Sequence, residues 1–195
     1  MNGGPLDRAK EKPEPEAWFY EPKINGWRVL IDVKNKKMWT RYNRPSSVEH
    51  KYAAVLERIA AQFSGDEVTW LDGEILGQRA SSIGRGSLVI FDVAWPRWKD
   101  WSILHDRRRL LDVMFDNVNE VWDIDRLPSQ DTIYRLPRIS GADALEYYER
   151  MQIANQRFGL ELYEGVVAKN MHKEYPTQLR SATEETPWWV KHRWD

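Results

Sequence analysis

The sequence contains no cysteine. That excludes disulfides, thiolate metal sites and cysteine nucleophiles, and it fits an intracellular protein held together by packing. No apolar run approaches the roughly 18 residues that a spanning helix needs, so a membrane-embedded chain is not expected. The first sixteen residues are polar and proline-rich, without the apolar stretch of a secretory signal. Net charge is almost absent too: 29 Lys and Arg against 30 Asp and Glu leave a formal −1. A polyanionic partner must therefore be held by a local basic patch and not by a global field. Glycine-rich phosphate loops are also missing, with no Gly-Lys-Ser/Thr loop, no Rossmann signature and no Gly-x-Ser-x-Gly elbow. His50, His105, His172 and His192 lack metal-ligand spacing and read as surface or packing residues.

What remains is enough for one large domain with its own core, since the chain has 195 residues. Eleven tryptophans are several-fold above usual usage, so most rings should pack and a few are left for stacking on bases. After a flexible tail over residues 1–16, three strand-like pieces at 17–20, 29–33 and 38–41 suggest a small antiparallel meander. Ser46 with Glu49 reads as a capping box before a helix that puts Tyr52, Val55, Leu56, Ile59, Ala60 and Phe63 on one face and stops at Gly65. Strands are expected at 68–76 and 87–94, joined through Gly84-Arg85-Gly86, and helices at 101–115 and 142–158. Ser140 is the expected cap of the last helix, with Gly159 as its stop. Short strands surround Val121 and Ile133, and two more close the chain at 165–169 and 188–193. Clustered strands make the expected class α+β, with mainly antiparallel sheets flanked by helices.

One segment suggests chemistry. In Glu21-Pro22-Lys23-Ile24-Asn25-Gly26-Trp27-Arg28, a lysine precedes an Asn-Gly turn and an arginine. A lysine lifted from the sheet beside other cations suits an amine that must be neutral to act as a nucleophile. Alone, the same pattern is common in structural hairpins. It is followed by Leu71-Asp72-Gly73-Glu74-Ile75-Leu76, then Phe91-Asp92, then Glu164-Gly165-Val166-Val167-Ala168-Lys169, then Trp189-Val190-Lys191-His192-Arg193. Alternation along the last strand sends Lys191 and Arg193 to one face. These supply a nucleophile, cations for phosphates, two carboxylates for a divalent metal and a ring for a base.

In this order the segments resemble the motifs of the covalent nucleotidyltransferase superfamily, which comprises ATP-dependent DNA ligases, RNA ligases and mRNA capping enzymes. Lys23 to Arg28 is similar to the first motif, Lys-x-Asp-Gly-x-Arg, with Asn25 in the Asp position. Thr40-Arg41 is similar to the Ser-Arg that follows, with Arg44 as the alternative. Arg193 stands where a second lysine is usual. Glu21 and the helix carrying Arg108 and Leu111 resemble the DNA ligase branch. The resemblance covers residues 17–194. It implies a nucleotidyltransferase fold, an adenylation domain over 17–195, and no following OB domain.

The resemblance further implies an ATP-dependent polynucleotide ligase that seals 5′-phosphate/3′-hydroxyl breaks, DNA nicks first, in repair or replication. Lys23 is the expected nucleophile. Lys169, Lys191 and Arg193 are expected on the nucleotide phosphates, Arg28 and Arg41 on phosphate or the nicked strand, and Phe91 on adenine. Glu21 is expected in the nucleotide pocket, Glu74 on ribose or metal, and Glu164 on Mg²⁺ or Mn²⁺. A monomer without membrane contact is expected. Nucleic acid is expected to lie on Arg107, Arg108, Arg109, Lys173 and Arg180, with stacking from Trp98, Trp101 or Trp194. An RNA or mixed-strand ligase, a GTP-using capping guanylyltransferase and a non-catalytic end-binding module stay open as alternatives.

Overall fold

The computed structural model describes residues 15–62, 68–78, 83–96, 103–115, 120–175 and 188–194. The expected tail, Phe63, Gly65, Trp98, Trp101 and Arg180 fall outside the described residues, apart from the short 3-10 turn Pro15–Ala17. Among the described residues, nine strands form two sheets. The smaller sheet pairs β1 (Trp18–Ile24) with β8 (Tyr163–Asn170), and β8 with β9 (Trp189–Arg193), all antiparallel. The larger sheet runs β3-β2-β4-β5-β7-β6. Its strands are β2 (Trp27–Asp32), β3 (Lys37–Thr40), β4 (Val68–Ile75), β5 (Leu88–Pro96), β6 (Glu120–Val121) and β7 (Ile133–Arg135).

Alternation along the strands sets which face is buried. Val29 and Ile31 of β2 turn inward, with Met38, Leu71, Ile75, Leu88, Ile90 and Val93. Two helices cover that face: α1 (Ala53–Gln62) through Val55, Leu56 and Ile59, and α2 (Leu104–Phe115) through Leu110, Leu111 and Phe115. A second core joins Tyr20, Ile24, Val166 and Ala168 of the smaller sheet to Val89, Trp122 and Tyr134, and to Met151 and Ala154 of α3 (Ala144–Phe158). Among the described residues, no helix is long and apolar enough to cross a membrane.

Several expectations are corrected. The meander does not form, because β1 pairs with β8 and leaves β2 and β3 in the other sheet. The Asn25-Gly26 turn is therefore a crossing between sheets. The capping box is not made: Glu49 accepts from the Met38 amide at 2.7 Å and from Lys37 at 2.9 Å, and a 3-10 turn Glu49–Tyr52 leads into α1. The last helix begins at Ala144, since Ser140 binds Asp143 ahead of it, while Gly159 ends it in a left-handed conformation as expected. The pairing is mainly antiparallel, as expected, and the larger sheet adds β7 parallel to both β5 and β6.

Candidate active site

A cavity of about 440 Å³ opens where β2, β4 and β5 face β1, β8 and β9. That volume suits a ligand of nucleotide size. All ten expected site residues line it: Glu21, Lys23, Arg28, Arg41, Glu74, Phe91, Glu164, Lys169, Lys191 and Arg193. Six cations thus face three carboxylates, in a chain whose net charge is −1. The local basic patch is inside the cleft, where low-dielectric walls strengthen its field.

Lys23 sits near the end of β1, paired with Gly165 of β8, and the ladder shifts register just after it. Its ammonium contacts the Glu164 carboxylate, and the Arg193 guanidinium lies 3.4 Å from the same oxygen. Gly165 makes this possible. Its φ is 131°, and a Cβ there would stand 1.9 Å from the His192 carbonyl oxygen. Only glycine lets β9 approach closely enough to bring Lys191 and Arg193 to the nucleophile.

Asn25 occupies the position where the related motif has Asp. Its side-chain amide donates to the Glu161 carbonyl at 2.9 Å, and its backbone amide donates to the Leu162 carbonyl at 2.9 Å. Both bonds pin the sheet crossing to the start of β8, and a carboxylate could not make the first. At Gly26 the amide donates to Glu74 at 2.9 Å. A Cβ on Gly26 would lie 2.6 Å from Glu74 Cγ, so the small residue lets this carboxylate into the turn. Burial pushes the Glu74 carboxyl up to about 7; Lys23, the Gly26 amide and Arg28 pull it down, and Glu164 pushes it up.

Arg28 is clamped. Its Nε and Nη2 donate to the two oxygens of buried Asp72 at 2.9 and 2.5 Å, and the Tyr175 hydroxyl donates to the same carboxylate at 2.7 Å. Burial works against the guanidinium charge, but Asp72 and Tyr175 more than offset it and hold the group above its ordinary range. Burial and the Asp72 charge push the Tyr175 hydroxyl well up. Lys169 lies 4.8 Å from the Phe91 ring and 4.4 Å from Trp189, so cations lie against both aromatic faces.

Asp72, Tyr175 and Trp189 carry site geometry that sequence reading did not assign. Asp72 was detectable, because it lies two residues from Glu74 on the same strand face; nothing local marks Tyr175. The expected surface patch is corrected. Arg107 and Arg108 are buried, Arg107 on Asp92 at 2.8 Å and Arg108 on Glu21 at 3.0 Å, which leaves Arg109 and Lys173 exposed. Trp194 is half-buried and packs in a T-shaped pair with Tyr148 at 5.1 Å.

A divalent cation fits the donor set. Among the described residues, no group of three His, Cys, Asp or Glu side chains gathers. Glu74 and Glu164 share the cavity and repel each other. Mg²⁺ is commonly held by one or two carboxylates, with substrate phosphates and water completing its shell.

No family model matches the chain. It is 25% identical over 198 residues to the multifunctional non-homologous end joining protein LigD of Mycolicibacterium smegmatis, covering 93% of this chain and 22% of that protein. The solved ligase domain of LigD from M. tuberculosis superposes with a TM-score of 0.55 at 22% identity, over 90% of this chain and 53% of the other. Lig E DNA ligase, described as binding DNA with a minimal scaffold, gives 0.54 at 11% identity over 95% and 65%. Chlorella virus DNA ligase-adenylate gives 0.52 at 15% identity over 91% and 61%. The chain spans little more than half of that solved ligase domain and about a fifth of the curated relative. With two sheets facing each other around a cationic cleft, this chain has the fold of an ATP-dependent DNA ligase adenylation domain.

Proposed function

We propose that the chain is the catalytic domain of an ATP-dependent DNA ligase that seals 5′-phosphate/3′-hydroxyl nicks through a lysine–AMP intermediate. The observation that carries this reading is Lys23, in contact with Glu164 inside a cleft of nucleotide size lined by six cations. One solved relative is a mycobacterial DNA ligase D complexed with ATP, and another is a ligase-adenylate.

In the first step the Lys23 Nζ lone pair attacks the α-phosphorus of ATP. The bond to the bridging oxygen breaks, pyrophosphate leaves, and the amine proton is lost to solvent or to a neighbouring base. Next, a 5′-phosphate oxygen of the nick attacks the AMP phosphorus and releases Lys23. The 3′-hydroxyl then attacks the 5′-phosphorus and AMP departs. These transfers depend on positioning and on charge neutralisation.

Lys169, Lys191 and Arg193 receive the phosphates in this reading, and Arg28 and Arg41 meet phosphate or the nicked strand. Phe91 and Glu21 belong to the nucleotide pocket, with Glu74 on ribose or metal. Glu164 and Glu74 would hold Mg²⁺ or Mn²⁺, which supplies charge neutralisation of the triphosphate when bound. One chain carries all ten residues, which supports a monomer, and the proposed use of ATP supports a location inside the cell. The test is incubation with α-labelled ATP or GTP and Mg²⁺, followed by a denaturing gel. Label from ATP fits the reading; label from GTP alone favours a capping-type transferase. No label overturns both.

A further inference from the structure

We propose that Trp27 and Tyr42 form an aromatic platform at the mouth of the cleft that stacks on a nucleobase flanking the nick. The inference rests on the ligase reading and names how the nucleic acid is held. Among the described residues, seven large hydrophobic side chains are exposed, and Trp27 at 41% and Tyr42 at 60% are the aromatic ones. The other five are aliphatic and scattered. Both aromatic residues line the one cavity that contains Lys23. Val29 of β2 pairs with Thr40 of β3, and Trp27 precedes the one by two residues while Tyr42 follows the other by two, so both stand at the same end of that strand pair.

The charge around the platform selects its occupant. The Arg41 guanidinium lies 4.7 Å over the Tyr42 ring and its Nη2 donates to the Tyr42 hydroxyl at 2.5 Å. A cation over one ring and an exposed indole lining the same cavity offer phosphate contact and a π-face together, which is how single-stranded or splayed nucleotides are held. An apolar peptide would have to bury Arg41 without a carboxylate. Stacking of this kind owes little to counterion release, so it persists as salt weakens the phosphate contacts.

The test is a thermodynamic cycle on direct binding, which needs no catalysis. Fluorescence anisotropy measures the Kd of the intact chain and of Trp27→Ala for a nicked duplex with a 5′-phosphate. The same duplex is then used with an abasic residue on either side of the nick. Trp27→Ala should weaken binding to the intact nick about tenfold at every salt concentration, and Trp27→Phe should recover most of the loss. With the base opposite the platform removed, Trp27→Ala should cost less than about twofold. Tyr42→Leu should behave in the same way. Equal losses with and without each base, or no loss at all, would overturn the platform. Failure of the wild-type protein to take AMP from ATP would instead overturn the ligase reading, and the binding cycle is read independently of it.

Discussion

The Lys169 ammonium lies 2.6 Å from a Glu21 carboxylate oxygen, with both side chains only 2% exposed. Arg108 of α2 approaches the other oxygen at 3.0 Å and also donates to the Phe91 and Leu136 carbonyls. One buried carboxylate therefore ties together β1, β8 and α2 beneath the nucleotide cleft.

Removing that carboxylate strands two cations. Glu21→Gln is expected to cost about 3–5 kcal/mol, a fall of about 10 °C in Tm for a chain of this size. Lys169→Met leaves Glu21 paired with Arg108 and should cost clearly less. Thermal melts of the two variants check the asymmetry, and equal losses would contradict it.

The Asn25 bond to Glu161 gives a second expectation. Asn25→Asp restores the residue usual in the related motif, yet it sets a carboxylate against a carbonyl oxygen. Stability should drop by about 0.5–1.5 kcal/mol, with a smaller loss at low pH, where the acid is protonated and can donate. Chemical denaturation at two pH values measures this.

Much of this site was legible in the sequence because its residues sit in short strands with fixed alternation. Lys191 and Arg193 share a face, and Glu74 lies beyond a glycine that admits a neighbouring strand. The sheet assignment was not legible. Strand pairing is nonlocal, so nothing in residues 17–41 shows that β1 joins β8, over 140 positions away, and not β2. The same limit hid Arg107 and Arg108. A run of three arginines reads as surface charge until Asp92 and Glu21 are known to lie beneath it. Glu49 reads as a cap residue only until Met38 is placed beside it.

Burial gives Glu74 a pH signature. Its folded-state value, near 7, lies above the ordinary carboxylate value of 4.5. The protonated form is thus favoured in the folded chain: the stabilising contribution is complete below about pH 4.5 and is lost as pH rises through about 7. Glu74→Gln removes that loss. The variant's unfolding free energy should gain on the wild type between those pH values and level off above them, by an amount on the order of 1–3 kcal/mol. A pH-independent difference would contradict the assignment.

Gly165→Ala places a Cβ 1.9 Å from the His192 carbonyl in a backbone region that disfavours side chains. It should loosen β9 and lower Tm by several degrees. Lys191 and Arg193 would be displaced together, and ATP affinity should fall at least tenfold even at temperatures where the chain stays folded. Isothermal titration with ATP alongside a melt separates the two effects.

Covalent labelling with ATP tests the account most directly. Wild-type protein, Lys23→Ala and Lys23→Arg are incubated with α-labelled ATP and Mg²⁺, resolved on a denaturing gel, and compared by circular dichroism. Wild-type protein should carry an acid-labile, base-stable AMP label, and neither variant should carry any, because arginine is too basic to act as the nucleophile. Label of the same stability on folded Lys23→Ala would contradict the assignment of Lys23 and the mechanism built on it.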